Sequence, residues 1–247
     1  MASKNWNSEG PREGRLLAPK WHTAGLAGIL LLAVSFGVWF QQRSGPEFGI
    51  APGPRRIIPI YLAALLFDWA LFYYVWAFVS RSGVPFRQIV GGRWASAKDV
   101  ARDIGIAIPF WAVWQVAAIL MHRLLGPGGA RSVAALLPRS VSEIAVWIAV
   151  SATAGFCEEI VFRGYLQQQV RAWTGRASLA LAVQAAGFGI GHAYQGIKNV
   201  IIITVLGALY GGLALRRRST RPGMLAHAWS DVYSGLQMQF LSRLLPF

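Results

Sequence analysis

Charged residues and cysteine are both scarce in this 247-residue sequence. Charged side chains make up only 14% of the residues, whereas 55% of the residues are hydrophobic. A typical soluble domain carries about 25% charged residues, so this composition argues against a soluble protein. The only cysteine, Cys157, excludes an internal disulfide, and its acidic neighbours disfavour a reactive thiolate. We therefore expect Cys157 to be a packing residue in a protein whose main solvent is lipid.

Long apolar runs recur along the chain, and about 20 such residues are enough to cross a bilayer as a helix. The first run is too long for a signal peptide, so we expect it to be retained. The sequence predicts an all-α fold, a polytopic transmembrane bundle of about seven helices that encloses a polar intramembrane cavity. Residues 1–20 are then a cytoplasmic N-terminal leader, and residues 21–247 are a single membrane domain. The predicted spans are 21–41, 57–79, 104–122, 141–162, 178–196, 198–215 and 223–242.

Acidic residues are few: the chain has 10 of them and 24 basic residues, which gives a formal net charge of +14. Lys and Arg accumulate on the cytoplasmic side of short membrane loops. In the seven-span topology, fifteen basic residues fall on the side of the N-terminus and eight on the other. We therefore predict a cytoplasmic N-terminus, in what we expect to be a prokaryotic plasma membrane. The basic residues are dispersed, and segment 80–103 has the pattern of an interfacial loop, so a lipid bilayer rather than nucleic acid is the expected partner.

Two adjacent carboxylates, Glu158 and Glu159, interrupt an apolar span and are followed by Arg163. A charge at this depth costs roughly 2.5–3.5 kcal/mol on insertion scales, so such residues usually carry function. In an α-helix Glu159 and Arg163 share one face and can pair, whereas Glu158 points about 100 degrees away. Glu158 is then free to meet another helix or a water molecule. A Glu–Arg pair that merely ends a helix is the alternative, but it leaves Glu158 unexplained.

Two later segments place histidines within apolar helices. Phe188 and His192 are four residues apart, behind alternating glycines that allow close helix contact. His227 and Asp231 are also four residues apart, a spacing at which a carboxylate can orient an imidazole. Taken alone, a histidine such as His192 in an apolar helix is more often a hydrogen-bonded structural residue, and the His227–Asp231 pair is equally consistent with a satisfied buried pair. Together with Glu158, however, they bring acidic and imidazole groups from three separate helices.

Such groups can converge on one point inside a helical bundle. A carboxylate with one or two imidazoles can deprotonate a water molecule and later deliver the proton to a leaving amine. Two histidines and one carboxylate can also hold a zinc ion with an open coordination position. The candidate metal ligands are Glu158, His192 and His227, although the HExxH motif of soluble zinc proteases is absent. The residues leave both chemistries open.

The three elements resemble, in order, the EExxxR, FxxxH and HxxxN or HxxxD motifs of the CAAX protease and bacteriocin-processing (CPBP, or Abi) family. The resemblance covers about residues 140–235 and includes the continuation Gly164-Tyr165-Leu166. It implies an intramembrane endopeptidase, similar to type II CAAX prenyl proteases, that acts on a membrane-associated and possibly prenylated protein or peptide. Members of the family are described as metalloproteases or as glutamate-dependent proteases.

The family resemblance also implies roles for individual residues. The residues that match Glu158 and His192 activate the attacking water, and those that match His227 and Asp231 help to hold the oxyanion. Glu159 and Arg163 complete the candidate catalytic set. Asp231 stands where the prenyl-protease branch has asparagine, a departure that bears on whether the substrate is a CAAX sequence.

Two other classes of function fit the same residues. A non-proteolytic immunity or scaffold protein would keep the polar cluster for binding, and a proton-coupled transporter would use it as a relay. Two features lie outside the three motifs. Asp68 in the second span is expected to line the same cavity or to snorkel within a Trp- and Tyr-rich segment, and a structural or secondary role is favoured. Gly207 and Gly211 form a small-xxx-small pair that predicts a tight helix contact.

Overall fold

The computed structural model describes residues 16–44, 57–126 and 136–244, which form eight helices. Five of them, α1, α2, α4, α5 and α7, are long and apolar enough to cross a membrane. Together with α6 and α8 they make seven long helices, so the predicted all-α bundle is confirmed. The helices are α1 Lys20–Ser44, α2 Ile57–Arg81, α3 Phe86–Val90, α4 Ala97–Leu125, α5 Val141–Thr174, α6 Ala177–Gly191, α7 Ile197–Arg217 and α8 Arg221–Leu244.

Several helix ends differ from the predicted spans, because apolar runs do not mark where backbone hydrogen bonding begins or stops. α4 begins seven residues before the predicted position 104, where Ser96 caps it by accepting a hydrogen bond from the backbone N–H of Asp99. α5 continues past the predicted end at 162 through a polar stretch to Thr174. α6 ends at Gly191, five residues before the predicted end, and a 3₁₀ turn follows it.

Large apolar side chains cover the outside of the long helices. Leu32, Leu66 and Val113 expose well over half of their side-chain surface on α1, α2 and α4. A soluble monomer rarely exposes so much contiguous apolar area, whereas a lipid-facing surface requires it. The bundle is therefore an integral membrane protein.

Glycines set the closest helix contacts. At Gly155 of α5 an added Cβ would lie 2.7 Å from the backbone nitrogen of Ala228, so α5 and α8 touch backbone to backbone. At Gly189 of α6 an added Cβ would lie 2.8 Å from the carbonyl oxygen of Val200 on α7. Gly207 lies against Ala185 in the same way, and this contact confirms the tight packing predicted for the small-residue pair.

The segments that the charge count places on one side of the membrane meet at one end of the bundle. The backbone N–H of Leu17 donates to the Gln169 side chain near the end of α5. The loop after α3 lies on the α7–α8 turn, where the N–H of Thr220 donates to the carbonyl of Val90. Segment 80–103, expected as an interfacial loop, contains α3 and the start of α4. The two ends of the bundle are thus consistent with the predicted topology, while the cytoplasmic position of the N-terminus stays a prediction.

A buried ion pair fixes the start of α8 to α4. Arg221 Nε lies 3.2 Å from Asp103 Oδ2, and both side chains are almost fully buried. The Trp94 indole N–H donates to the same carboxylate at 2.9 Å. Because Arg221 is the first residue of α8, these contacts set the position of the helix that carries His227 and Asp231.

Candidate active site

A π-helical segment begins at the second of the two adjacent glutamates. α5 is α-helical from Val141 to Glu158, π-helical over Glu159–Leu166 and α-helical again from Gln167 to Thr174. π-helical turns are rare and occur frequently at functional sites. α3 packs against this segment at Gly164, where an added Cβ would lie 2.6 Å from the Ile89 side chain.

Glu159 and Arg163 form the predicted ion pair. Arg163 Nη1 lies 2.9 Å from Glu159 Oε1, and both side chains are completely buried. The guanidinium lies 4.1 Å from the centre of the Phe188 ring and 5.2 Å from that of Tyr210. Aromatic faces attract a desolvated cation, so this enclosure stabilises the charge of Arg163 within the bundle.

His227 of α8 links the carboxylates of α5 to Asp231. Its Nδ1 lies 3.2 Å from Glu159 Oε1, within hydrogen-bonding distance. Its Nε2 lies 3.8 Å from Glu158 Oε2 and 3.7 Å from Asp231 Oδ2. Both ring nitrogens therefore face carboxylate oxygens, so the imidazole can hold or pass a proton between the two sides. The Tyr210 ring stacks on it, with centroids 5.3 Å apart and an angle of 23°.

His192 lies at the C-terminal end of α6, and the Phe188 ring lies close to both His192 and His227. The Phe188 ring centre is 5.1 Å from that of His192 and 5.7 Å from that of His227. His192 Nδ1 lies 2.9 Å from the Phe188 carbonyl oxygen. A carbonyl only accepts hydrogen bonds, so this contact places a proton on Nδ1 and leaves Nε2 free to act as an acceptor in the neutral ring.

The six candidate residues are thus brought together to different degrees. Glu159 and Arg163 pair as predicted, and Glu158 is left unpaired by Arg163, also as predicted. His227, rather than His192, is the imidazole next to Glu158. Within the described ranges no carboxylate forms an ion pair with His192.

A narrow cleft lies beside Glu158, and Asp68 of α2 lines it. As packed, the cleft has no room for a water molecule. The Asp68 side chain is 8% exposed, so it lies within the bundle and does not reach a polar interface. This position of Asp68 agrees with the expectation that it lines the cavity rather than snorkels to the membrane surface. Cys157 is buried in the same wall as a packing residue. The cleft is otherwise lined by Leu71, Cys157, Val161 and Phe162.

The proposed metal set is not assembled. Among the described residues, no group of three or more His, Cys, Asp and Glu side chains is arranged to hold an ion. Glu158 and His227 approach each other, but His192 Nδ1 is hydrogen-bonded to the Phe188 carbonyl. His192 therefore does not join Glu158 and His227 as the third ligand that a zinc site would require. The residues as placed do not fit a resident zinc ion, and we derive no step through one.

Sequence patterns missed several residues that shape the site. Tyr210 covers His227, and Gly223 leaves room for Glu159, because an added Cβ there would lie 2.9 Å from Glu159 Oε2. Gln184 donates a hydrogen bond of 2.9 Å to the Gly207 carbonyl, beside Arg163. Tyr210 lies three residues after Gly207, on the helix whose small residues mark a close contact. That spacing is the one signal that could have found it.

Carboxylates and imidazoles from α5, α6 and α8 thus lie near one another inside the helical bundle. Residues 140–233 match a family model whose description is “type II CAAX prenyl endopeptidase Rce1-like”. This match confirms the recognition made from the three motifs, so this segment is similar to the CAAX protease (CPBP) family. No curated protein and no solved structure gives a significant match.

Proposed function

We propose that this protein is an endopeptidase that hydrolyses a peptide bond in a membrane-associated protein or peptide, with Glu158 as the general base. The family match supports a CAAX-type intramembrane protease in general. The observation that carries the finer assignment is the contrast between the two adjacent glutamates. Glu159 is tied through Oε1 to Arg163 and His227, whereas Glu158 forms no hydrogen bond with the described residues and is the one of the two that lines the cleft.

The proposed hydrolysis transfers one proton in two steps, from the water molecule to Glu158 and from Glu158 to the leaving amine. Glu158 removes a proton from a water molecule as the water oxygen attacks the carbonyl carbon of the scissile bond. The protonated Glu158 then gives that proton to the departing amine as the carbon–nitrogen bond breaks. General acid–base catalysis of this kind contributes typically 10²–10⁴-fold in rate.

The neighbouring groups hold Glu158 and the substrate in place. His227 is fixed by its contact with Glu159 and presents Nε2 to Glu158 and Asp231. In its protonated form it can donate a hydrogen bond to the oxyanion that forms on the substrate carbonyl. His192 has Nε2 free to orient the attacking water.

The test is cleavage of quenched-fluorescence peptides, lipidated and unlipidated, by the purified protein in detergent. Glu158→Gln should lower kcat/KM by at least about 100-fold, because the amide cannot accept the proton. The matched control is Glu143→Gln, the same change on the same helix but at the far end from the cleft. There Glu143 accepts a hydrogen bond from the Arg139 backbone.

Cleavage that survives Glu158→Gln would refute the assigned base. If the wild-type protein cleaved no peptide and its cellular effect survived the substitution, a binding or scaffold function would replace the enzyme. Adding a chelator and then restoring zinc in the same assay measures any dependence on a metal.

A further inference from the structure

Hydrogen bonds between buried side chains join the start of α1 to the end of the π-helical segment. Tyr165 has its hydroxyl oxygen 2.8 Å from His22 Nδ1 and 2.7 Å from Thr23 Oγ1. His22 Nε2 lies 3.1 Å from the carbonyl oxygen of Tyr74 on α2. The side chains of His22 and Tyr165 are both completely buried. His22 and Thr23 lie outside the segment that matches the protease family, so the motifs give them no role.

The partners of His22 fix the direction of each of these hydrogen bonds. Because the Tyr74 carbonyl only accepts, the proton of the neutral imidazole lies on Nε2, and Nδ1 accepts from the Tyr165 hydroxyl. The Tyr165 oxygen in turn accepts from Thr23. Tyr74 also holds the imidazole in place, since the two rings stack with centroids 4.3 Å apart and the Tyr74 hydroxyl donates to the His22 carbonyl at 2.9 Å. α1 and α2 together thus present one fixed acceptor to the Tyr165 hydroxyl.

The residues that follow the π-helical segment are anchored as well. Gln167 donates to the Gly211 carbonyl of α7 at 3.1 Å, and the Gln169 side chain accepts from the Leu17 backbone N–H at 2.8 Å. A π-helical turn holds about one residue more than an α-helical turn, because its hydrogen bonds span five residues instead of four. Relaxation of the segment to an α-helix would therefore turn Glu158 by about 100 degrees relative to this anchored end.

We propose that His22 and Tyr165 are positioning residues for Glu158, because their hydrogen bond keeps α5 in its π-helical register and so keeps Glu158 next to His227. This inference rests on the proposed endopeptidase function and extends it to the first helix. Loss of the bond leaves a buried polar group unsatisfied, which removes support from a turn that is intrinsically rare. A misplacement of about 1 Å that originates far from the chemistry can lower a rate about 100-fold.

Cys157, the only cysteine and the residue before Glu158, reports the register of α5 without any need for catalysis. Its side chain is 1% exposed, whereas the neighbouring Phe156 and Glu158 are only partly buried. Turning this part of α5 in either direction therefore exposes the thiol. Tyr165→Phe, which removes only the hydroxyl, should raise the rate at which methyl methanethiosulfonate modifies Cys157 about 10-fold, measured on the full chain in detergent.

The matched control is Tyr61→Phe, the same change at a similarly buried residue. The Tyr61 hydroxyl donates to the Leu136 carbonyl, before α5 begins, and does not touch the π-helical segment. This variant should therefore leave the rate of Cys157 modification unchanged.

Two substitutions of His22 separate positioning from a simple loss of stability. His22→Asn keeps an acceptor close to the place of Nδ1 but loses the ring that stacks on Tyr74, whereas His22→Leu loses the acceptor as well. Both variants should have a lower Tm. Only His22→Leu should raise the rate of Cys157 modification about 10-fold. In the peptide cleavage assay it should also lower kcat about 10-fold while KM changes less than twofold, whereas His22→Asn should keep both.

Unchanged thiol modification in Tyr165→Phe would overturn the proposal, and this comparison with Tyr61→Phe decides alone if neither His22 variant folds. Equal acceleration by His22→Asn and His22→Leu would overturn it as well, because the effect would then follow stability and not the acceptor. If the wild-type protein cleaves no peptide while the thiol rates follow the expected order, the proposed hydrolysis is wrong and the positioning of Glu158 stands.

Discussion

The buried ion pair between Glu159 and Arg163 gives the most direct test of how the site is held together. Arg163→Met removes the guanidinium but keeps a side chain of similar length against the Phe188 ring. The pair is 2.9 Å long and both side chains are completely buried. Removing one partner of such a pair typically costs about 3–5 kcal/mol, because the other charge stays buried and uncompensated. We expect a loss of this size in the free energy of unfolding.

The matched variant is the double substitution Glu159→Gln with Arg163→Met. It removes both charges, and replacing both partners by uncharged groups of similar shape is often close to neutral. The double variant should therefore regain most of the stability that Arg163→Met loses. Titration with sodium dodecyl sulfate in mixed micelles, followed by tryptophan fluorescence and circular dichroism, measures these free energies on the full chain.

The reasoning fails if Arg163→Met costs less than about 1 kcal/mol, the value typical of exposed pairs. It also fails if the double variant is as unstable as the single one. That second result would mean that Arg163 acts through its packing on aromatic rings and the Gly207 carbonyl rather than through its charge.

Two further predictions concern the placement of α8. Gly155→Val should lower the free energy of unfolding by about 1–3 kcal/mol and abolish cleavage, because the new side chain would collide with the α8 backbone. The control Gly212→Val should have neither effect, since an added Cβ there meets nothing within 4 Å. Equal losses of stability in the two variants would contradict the contact between Gly155 and α8. In the same denaturant titration, Arg221→Met should lower the free energy of unfolding by about 1–3 kcal/mol, because it removes the close partner of the buried Asp103 carboxylate. The Arg102 side chain is 48% exposed, so Arg102→Met should cost less than about 1 kcal/mol. The reverse order would refute Arg221 as the main partner of Asp103.

Much of the fold and part of the site follow from the sequence because they depend on local regularities. Apolar runs of about 20 residues predict the membrane helices, and the four-residue spacing predicts that Glu159 pairs with Arg163. The same spacing places Phe188 against His192. These contacts lie within single helices, where periodicity alone sets the geometry.

The rest of the site depends on how helices pack, and sequence periodicity does not contain that information. The π-helical turn at Glu159–Leu166 leaves no mark in the apolar periodicity, and only the packing of α8 on α5 shows that the imidazole next to Glu158 is His227 rather than His192. Tyr210 of α7 stacks on His227 of α8, a contact between helices that no single segment reveals. Asp68 reaches the cleft by the packing of α2 on α5.

The position of both Glu159 and Arg163 within one helix also bears on how the protein is made. An isolated charge entering the bilayer centre costs roughly 2.5–3.5 kcal/mol on insertion scales. Because the two partners are four residues apart on α5, they can neutralise each other during biosynthesis, before α6, α7 and α8 have left the ribosome. The helix can then partition into the membrane as a nearly neutral segment. Glu158 has no such local partner, and the imidazole next to it, His227, arrives only with α8.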